Sequence, residues 1–261
     1  MTTPAPPTEP RRESFTVTDA AVELDVHLGS GAVTIELVDA SDAVEVTVGV
    51  GRGSWWQQGL TGVLSILGSA DPEGADTGGL AAEALDATEI AFSAQRSRLT
   101  VRAPRSGTPR AIALELHVRA PSAAQVFVRT STAPVDVTGL ARRVDVSTGS
   151  GEVSVQDVAD GADVRTGSGG VRLGLLAHGG HARTGSGNIT VDSTAGTVEL
   201  ITGSGDLRIG IAAGAAAELD LRSGSGTVRS ELAILEAAPA DGGFQVRART
   251  GSGVVLVHGA H

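Results

Sequence analysis

The tripeptide Gly-Ser-Gly opens at Gly149, Gly167, Gly185 and Gly203, four copies each one 18-residue step from the last. Each follows a threonine, so the turn reads Thr148-Gly149-Ser150-Gly151 and recurs from Thr166 to Gly169, from Thr184 to Gly187 and from Thr202 to Gly205. A short fixed period of this kind marks a chain that stacks one supersecondary unit on the next, because a single unit is too thin to bury its own apolar face. Thr130 lies one step earlier, and looser copies begin at Leu28 (LGSGAVTIEL), Ser223 (SGSGTVRS) and Thr250 (TGSGVVLV).

Apolar residues flank each threonine in alternating pairs. Val126 and Val128 precede Thr130, and Val135 and Val137 follow it; Val144, Val146, Val153 and Val155 do the same around Thr148. The register persists through Val198, Leu200, Leu207 and Ile209. A period of two is the signature of a strand with one face inward, so each repeat holds two short strands joined by the Thr-Gly-Ser-Gly turn. Repeats about 4.8 Å apart would then pair strand to equivalent strand. The expected fold is all-β: a single-stranded parallel β-solenoid (β-helix) of 18-residue coils, its glycines supplying φ > 0 and close backbone approach, its Thr and Ser hydroxyls in ladders. Eighteen residues is also three hexapeptides, but a hexapeptide helix needs an aliphatic residue every sixth position, and these cluster in pairs. The Gly-Gly-x-Gly-x-Asp nonapeptide of calcium-binding rolls is absent as well.

Composition narrows the function classes. The 20 basic residues are all Arg and face 30 acidic ones, a net charge of −10 that argues against nucleic acid as a partner. With no Cys, disulfides, thiolate metal sites and Cys nucleophiles are excluded. No apolar run reaches the length of a transmembrane helix and residues 1–13 (MTTPAPPTEPRRE) lack a signal-type apolar region, so the sequence predicts a soluble, cytoplasmic protein with a disordered Pro-rich tail.

Behind the tail, residues 14–50 read as N-terminal coils and residues 90–261 as the main solenoid, ending in an uncapped last coil, VVLVHGAH. Between them, 51–89 interrupts the strand rhythm. Trp55, Trp56, Leu60, Val63, Leu64 and Leu67 fall on one face at helical spacing, which predicts an amphipathic helix, followed by an acidic loop and a second short helix around Leu80 to Ala87. The Trp-rich face either caps the solenoid or docks a protein partner or, peripherally, a membrane surface.

Chemistry is sparse. His178 and His181 (HGGH), and His258 and His261 (HGAH), have spacings that admit two imidazoles at one metal, but no third ligand lies nearby in sequence. The carboxylate pairs Asp157 and Asp160, or Asp192 and Asp206, read as turn and solvent residues, and the 2% aromatic content offers few sugar platforms. No metal or cofactor is therefore expected, nor catalysis. The outward positions before the turn carry Arg129, Arg165, Arg183, Arg222 and Arg249, with Asp145, Asp163, Glu199 and Asp220 two residues earlier. This is a polar ladder, either a solvated charge lattice or a binding face for an anionic partner.

The strings VDVSTGSGEVSV, VRTGSGGVRLG, ARTGSGNITVDS and LITGSGDLRIG, preceded by SRLTVRAPR and IALELHVRAPSAAQVFVRTS, resemble a bacterial β-strand-repeat family of unknown function, domain of unknown function 4097, of the adhesin type. The resemblance spans about residues 90 to 258 and, more weakly, 14 to 50. It implies a β-solenoid without established enzyme activity, some relatives being tied to cell-envelope stress systems. The function expected on these grounds is a non-enzymatic scaffold or interaction module that binds a protein or its own copies. An adhesin-like surface protein comes next, and a polysaccharide-active β-helix enzyme third.

Overall fold

At each repeat the chain turns where a threonine points inward. Thr166 is buried and its hydroxyl donates to the Ser168 carbonyl at 3.0 Å; Thr184 does the same to Ser186. At the glycine that closes the corner the backbone permits nothing larger. Gly187 has φ +140°, and a Cβ there would lie 2.2 Å from the Gly169 carbonyl oxygen of the neighbouring repeat. The serines between the glycines ride the outside of the corner, so the inward Thr and outward Ser of each copy stack on those of the next.

The computed structural model describes residues 9–17, 21–51, 77–104, 112–233 and 243–260. Its elements are β1 (Arg11–Thr16), β2 (Glu23–Leu28), β3 (Gly31–Val38), β4 (Ala43–Val50), α1 (Thr77–Asp86), β5 (Glu89–Ser93), β6 (Arg98–Arg102), β7 (Leu114–Pro121), β8 (Ala124–Thr130) and β9 (Val135–Ser150). There follow β10 (Val153–Ser168), β11 (Val171–Leu176), β12 (Gly180–Ser186), β13 (Ile189–Thr194), β14 (Val198–Ser204), β15 (Leu207–Ile211), β16 (Ala217–Ser225), β17 (Val228–Ser230), β18 (Phe244–Ser252) and β19 (Val255–Gly259). The protein is all-β apart from one short helix among the described residues, and its strands form one open sheet.

Strands leading into the Gly-Ser-Gly corner form an inbound face, and strands leaving it an outbound face. In the middle of the molecule the register advances by one repeat at a time: Val153 pairs with Val171, Val171 with Ile189, Ile189 with Leu207, and Ala162 with Gly180, Gly180 with Val198. All these pairings are parallel. Their inward side chains make one continuous interior, with Val135, Leu173, Ile189, Leu200 and Ile209 at most 1% exposed. Each such side chain contributes about 1.5–3 kcal/mol by leaving water.

At both ends the spatial order departs from chain order. β2–β3 sits between β6–β7 and β8–β9: Leu24 pairs with Leu99 on one side and Val126 on the other, and Val33 with Leu116 and Val135. At the other end β18–β19 slips between β14–β15 and β16–β17, since Val246 pairs with both Val198 and Leu219, and Val255 with both Leu207 and Val228. VVLVHGAH is therefore an internal layer and not an uncapped last coil. The physical reason lies in the residues: β18–β19 keeps the buried threonine (Thr250) and small inward residues Val246, Ala248, Val255 and Val257, all 0% exposed, and so fits between two neighbours. β16–β17 has Ser223 in that place and leaves Val228 42% exposed, which is tolerable only in an outermost layer.

The first layers are closed differently. β1 and β4 continue the outbound face antiparallel from β7, and β5 pairs antiparallel with β6 on the inbound face. Phe15 of β1 and Phe92 of β5 stack with ring centroids 5.2 Å apart. Helix α1 buries Ala84 and Leu85 in the core, and the Thr88 hydroxyl after it donates to the Ala84 carbonyl at 2.8 Å. Strand β1 begins at Arg11, so residues 11–13 belong to the sheet and not to a tail; the Arg11 guanidinium holds them by donating to the Thr88 carbonyl at 2.9 Å and to Glu13. The second predicted helix is α1, displaced by a few residues. The Trp55–Leu67 amphipathic segment and residues 1–8 lie outside the described residues.

Candidate functional site

The parallel register decides which outward side chains become neighbours. On the inbound face the position before the corner threonine reads, layer by layer, Arg102, His27, Arg129, Ser147, Arg165, Arg183, Ile201, Arg249 and Arg222. The predicted ladder is thus broken into groups: Ser147 separates Arg129 from Arg165, and Ile201 separates Arg183 from Arg249. Stacked like charges repel across one strand spacing, and the interruptions limit that repulsion. Two adjacent pairs survive, Arg165 beside Arg183 and Arg249 beside Arg222.

The next outward column, two residues earlier, supplies the compensation. Asp163 accepts from Arg165 at 2.7 Å and lies 3.5 Å from His181. Asp220 accepts from Arg222 at 2.9 Å and from Arg249 at 3.2 Å, with Arg247 at 3.7 Å. Desolvation pushes the Asp220 carboxyl up, but the hydrogen bonds and charges of Arg222 and Arg249 outweigh it and hold it below the ordinary carboxylate range. Further along, Arg98 donates to Asp25 at 2.7 Å, and His27 lies 3.0 Å from the same carboxylate. Arg129 and Arg183 have no ion-pair partner among the described residues. Such half-exposed pairs contribute about 0–1 kcal/mol each, so the lattice does more to set the surface charge than to hold the fold.

The carboxylates weighed for catalysis are occupied elsewhere. Asp160 pairs with Arg142 at 2.8 Å and Asp192 with Arg172 at 2.9 Å, both on exposed surface. Asp206 has a structural task that its isolated position in the sequence does not announce. Its Oδ1 accepts the Val254 amide at 2.8 Å, and its own amide donates to the Asn188 Oδ1 at 2.8 Å. These two residues stand at the same place after successive corners, and that shared phase is the signal by which the link is recognisable. His178 Nδ1 donates to the Ala159 carbonyl, 2.5 Å away, and His258 Nδ1 donates to the Gly259 carbonyl at 2.9 Å; His261 lies outside the described residues. No three His, Asp or Glu side chains converge as a metal site among the described residues. No described helix is long and apolar enough to cross a membrane.

The repeat-turn residues from Thr148 to Gly151, and their copies to Gly205, meet along one corner as a stack of backbone. The Gly151 amide donates to Ser168, Gly169 to Ser186 and Gly187 to Ser204, whereas Gly205 donates to Ser252 of the inserted layer. A corner whose amides are consumed in this way is a seam of the fold.

A family model, Toastrack DUF4097, matches residues 14–260. No curated protein matches the chain. Among solved structures, similar chains include a "putative cell adhesion protein" from Clostridium sporogenes, 11% identical, covering 96% of this chain and 99% of that one with TM-score 0.40. Another is a "putative adhesin" from Bacteroides fragilis, 9% identical, covering 96% and 97% with TM-score 0.47. A "putative lipid binding protein" from Parabacteroides distasonis is 8% identical, covering 97% and 98% with TM-score 0.33.

Proposed function

Because the chain belongs to the Toastrack DUF4097 family, we propose that it is a non-catalytic parallel β-solenoid that serves as a rigid interaction platform, its inbound face presented to an acidic protein partner. The observation that carries this reading is the register of Arg165 directly beside Arg183 at the centre of that face. Arg165 has Asp163 for compensation, while Arg183 is exposed and has no ion-pair partner among the described residues. Two cations one strand spacing apart on a rigid sheet repel each other in the free protein. An acidic surface laid across them turns that cost into attraction, and Arg makes bidentate hydrogen bonds to carboxylates. The stacked layers support the role by holding both guanidinium stems in fixed register without a loop that must order first.

The test places a photo-crosslinking residue at Arg183, and in a second variant at Thr190 on the outbound face, in cells that naturally make the protein. The expected result is a discrete protein adduct from the Arg183 position, lost when Arg165 is changed to Glu. Adducts from neither position, or equal adducts from both, would contradict the platform reading. Adducts confined to extracellular material would favour the adhesin-type alternative.

A further inference from the structure

The outermost layer offers a second surface, at the end of the stack. One edge of β16 pairs with β18, and among the described residues nothing pairs with its other edge or with the outer edge of β17. The Phe244 amide donates to the Ala216 carbonyl at 3.2 Å. By the alternation of a parallel ladder, Glu218, Asp220 and Arg222 therefore turn their backbone groups toward β18, while Leu219, Leu221 and Ser223 turn theirs away. The inward side chains of this layer are also under-covered. Leu219 and Leu221 are partly exposed where their neighbours Val246 and Ala248 are 0% exposed, and Val228 is 42% exposed. A bare edge flanked by apolar side chains invites another strand.

We propose that this edge pairs with the same edge of a second copy of the chain, β16 against β16 and antiparallel, about a two-fold axis at Leu221. The charges select both the occupant and the register. Asp220 and Arg222 flank Leu221 on the outward face, so reversal about Leu221 sets each Asp220 opposite the partner's Arg222. In that register Leu221 meets the partner's Leu221, and Leu219 meets the partner's Ser223. All three carry the outward-turned backbone groups that an antiparallel ladder joins. Moving the axis to Asp220 sets Asp220 against the partner's Asp220, which counts against the Glu218–Arg222 pairs that register would form, and moving it to Arg222 sets Arg222 against the partner's Arg222 with no opposite-charge pair. A half-residue displacement of the axis opposes inward to outward side chains. A self-complementary patch of this kind closes as an isologous dimer and does not run on into a filament.

The inference uses the layer order but not the inbound-face binding, and one experiment separates them. Sedimentation velocity on the full chain from micromolar to millimolar concentration is expected to show a monomer–dimer equilibrium. Arg222→Asp places an acid opposite the partner's Asp220 and weakens dimerisation by about tenfold or more; adding Asp220→Arg to it restores the opposed pairs and the dimer. Leu221→Pro removes an outward amide at an edge where proline is tolerated, and yields a monomer with an unchanged circular dichroism spectrum. A wild-type monomer at every concentration would overturn the proposal, as would a dimer indifferent to Arg222→Asp or a double variant that stays dissociated. A monomeric chain that still cross-links at position 183 would leave the platform reading standing, and a dimer without cross-links would leave only the end pairing.

Discussion

The two ends of the stack treat the same physical problem in opposite ways. At the first, antiparallel strands β1 and β5 end the two faces with their own outer edges unpaired among the described residues, but the interior is shut: their phenylalanines stack, and α1 buries Ala84 and Leu85 in the core. At the last, β16 and β17 stop with one edge unpaired among the described residues, and their inward leucines are partly exposed. A β-stack has edges wherever it ends, and an uncovered edge is retained only where a partner covers it or aggregation is otherwise blocked. The self-complementary charges around Leu221 favour the one register that opposes Asp220 to Arg222 and sets no like charges face to face.

The contrast is sharpest in the leucines. Leu99, in the closed first layer and 0% exposed, is expected to cost about 2–5 kcal/mol on substitution by Ala. Leu221→Ala, measured at a concentration low enough to keep the chain monomeric, should cost about 1 kcal/mol or less because water already reaches it. Urea unfolding of both variants checks this, and equal losses would erase the difference between the ends. A smaller effect is expected at the aromatic closure: Phe92→Ala removes the stack on Phe15 and should cost about 1–2 kcal/mol. Faster hydrogen exchange should then be confined to β1, β5 and β6; exchange spreading to β16 would mean that the ends are not independent.

The smallest expected effect concerns pH at the open end. Asp220 is held below its ordinary pKa by Arg222 and Arg249, so its stabilising contribution is present above the unfolded-state value and is lost as pH falls through the lower folded-state value. Thermal melts of wild type and Asp220→Asn should therefore differ at neutral pH, begin to approach each other near the ordinary carboxylate value of about 3.9, and converge only in stronger acid. A difference that persists in strong acid would assign Asp220 a role other than charge.

Much of this was readable from the chain, and the limits are instructive. The all-β character and the one-repeat register of β9 to β15 follow from strict copies around Thr148 to Thr202, because a layer held between two neighbours tolerates little variation. The order of the layers does not follow, because β16 and β18 both carry a Ser-Gly-Ser-Gly or Thr-Gly-Ser-Gly corner and either can dock on β14 by pattern alone. Ser223, where β18 has the buried Thr250, is the difference between the two corners. The antiparallel closure by β1 and β5 carries no repeat signature at all, and Arg11 looks like part of a Pro-rich tail until its bond to Thr88 is seen. Within the arginine column, the adjacency of Arg165 to Arg183 and the breaks at Ser147 and Ile201 follow the same 18-residue phase, whereas the placing of Arg249 between Ile201 and Arg222 depends on the layer order and is not written in the repeat.

The layer order at the open end underlies the whole account, and engineered disulfides test it directly because the chain has no cysteine of its own. Glu199 pairs with Arg247 on the adjacent strand, whereas Asp220 lies one layer further on. A disulfide needs Cα atoms about 4.4–6.8 Å apart, which adjacent strands offer and next-but-one strands do not. The account predicts that Glu199→Cys with Arg247→Cys oxidises readily to an intramolecular disulfide while Glu199→Cys with Asp220→Cys stays reduced. The reverse result would put β16 directly on β14, bury the edge assigned to the dimer, and contradict the account.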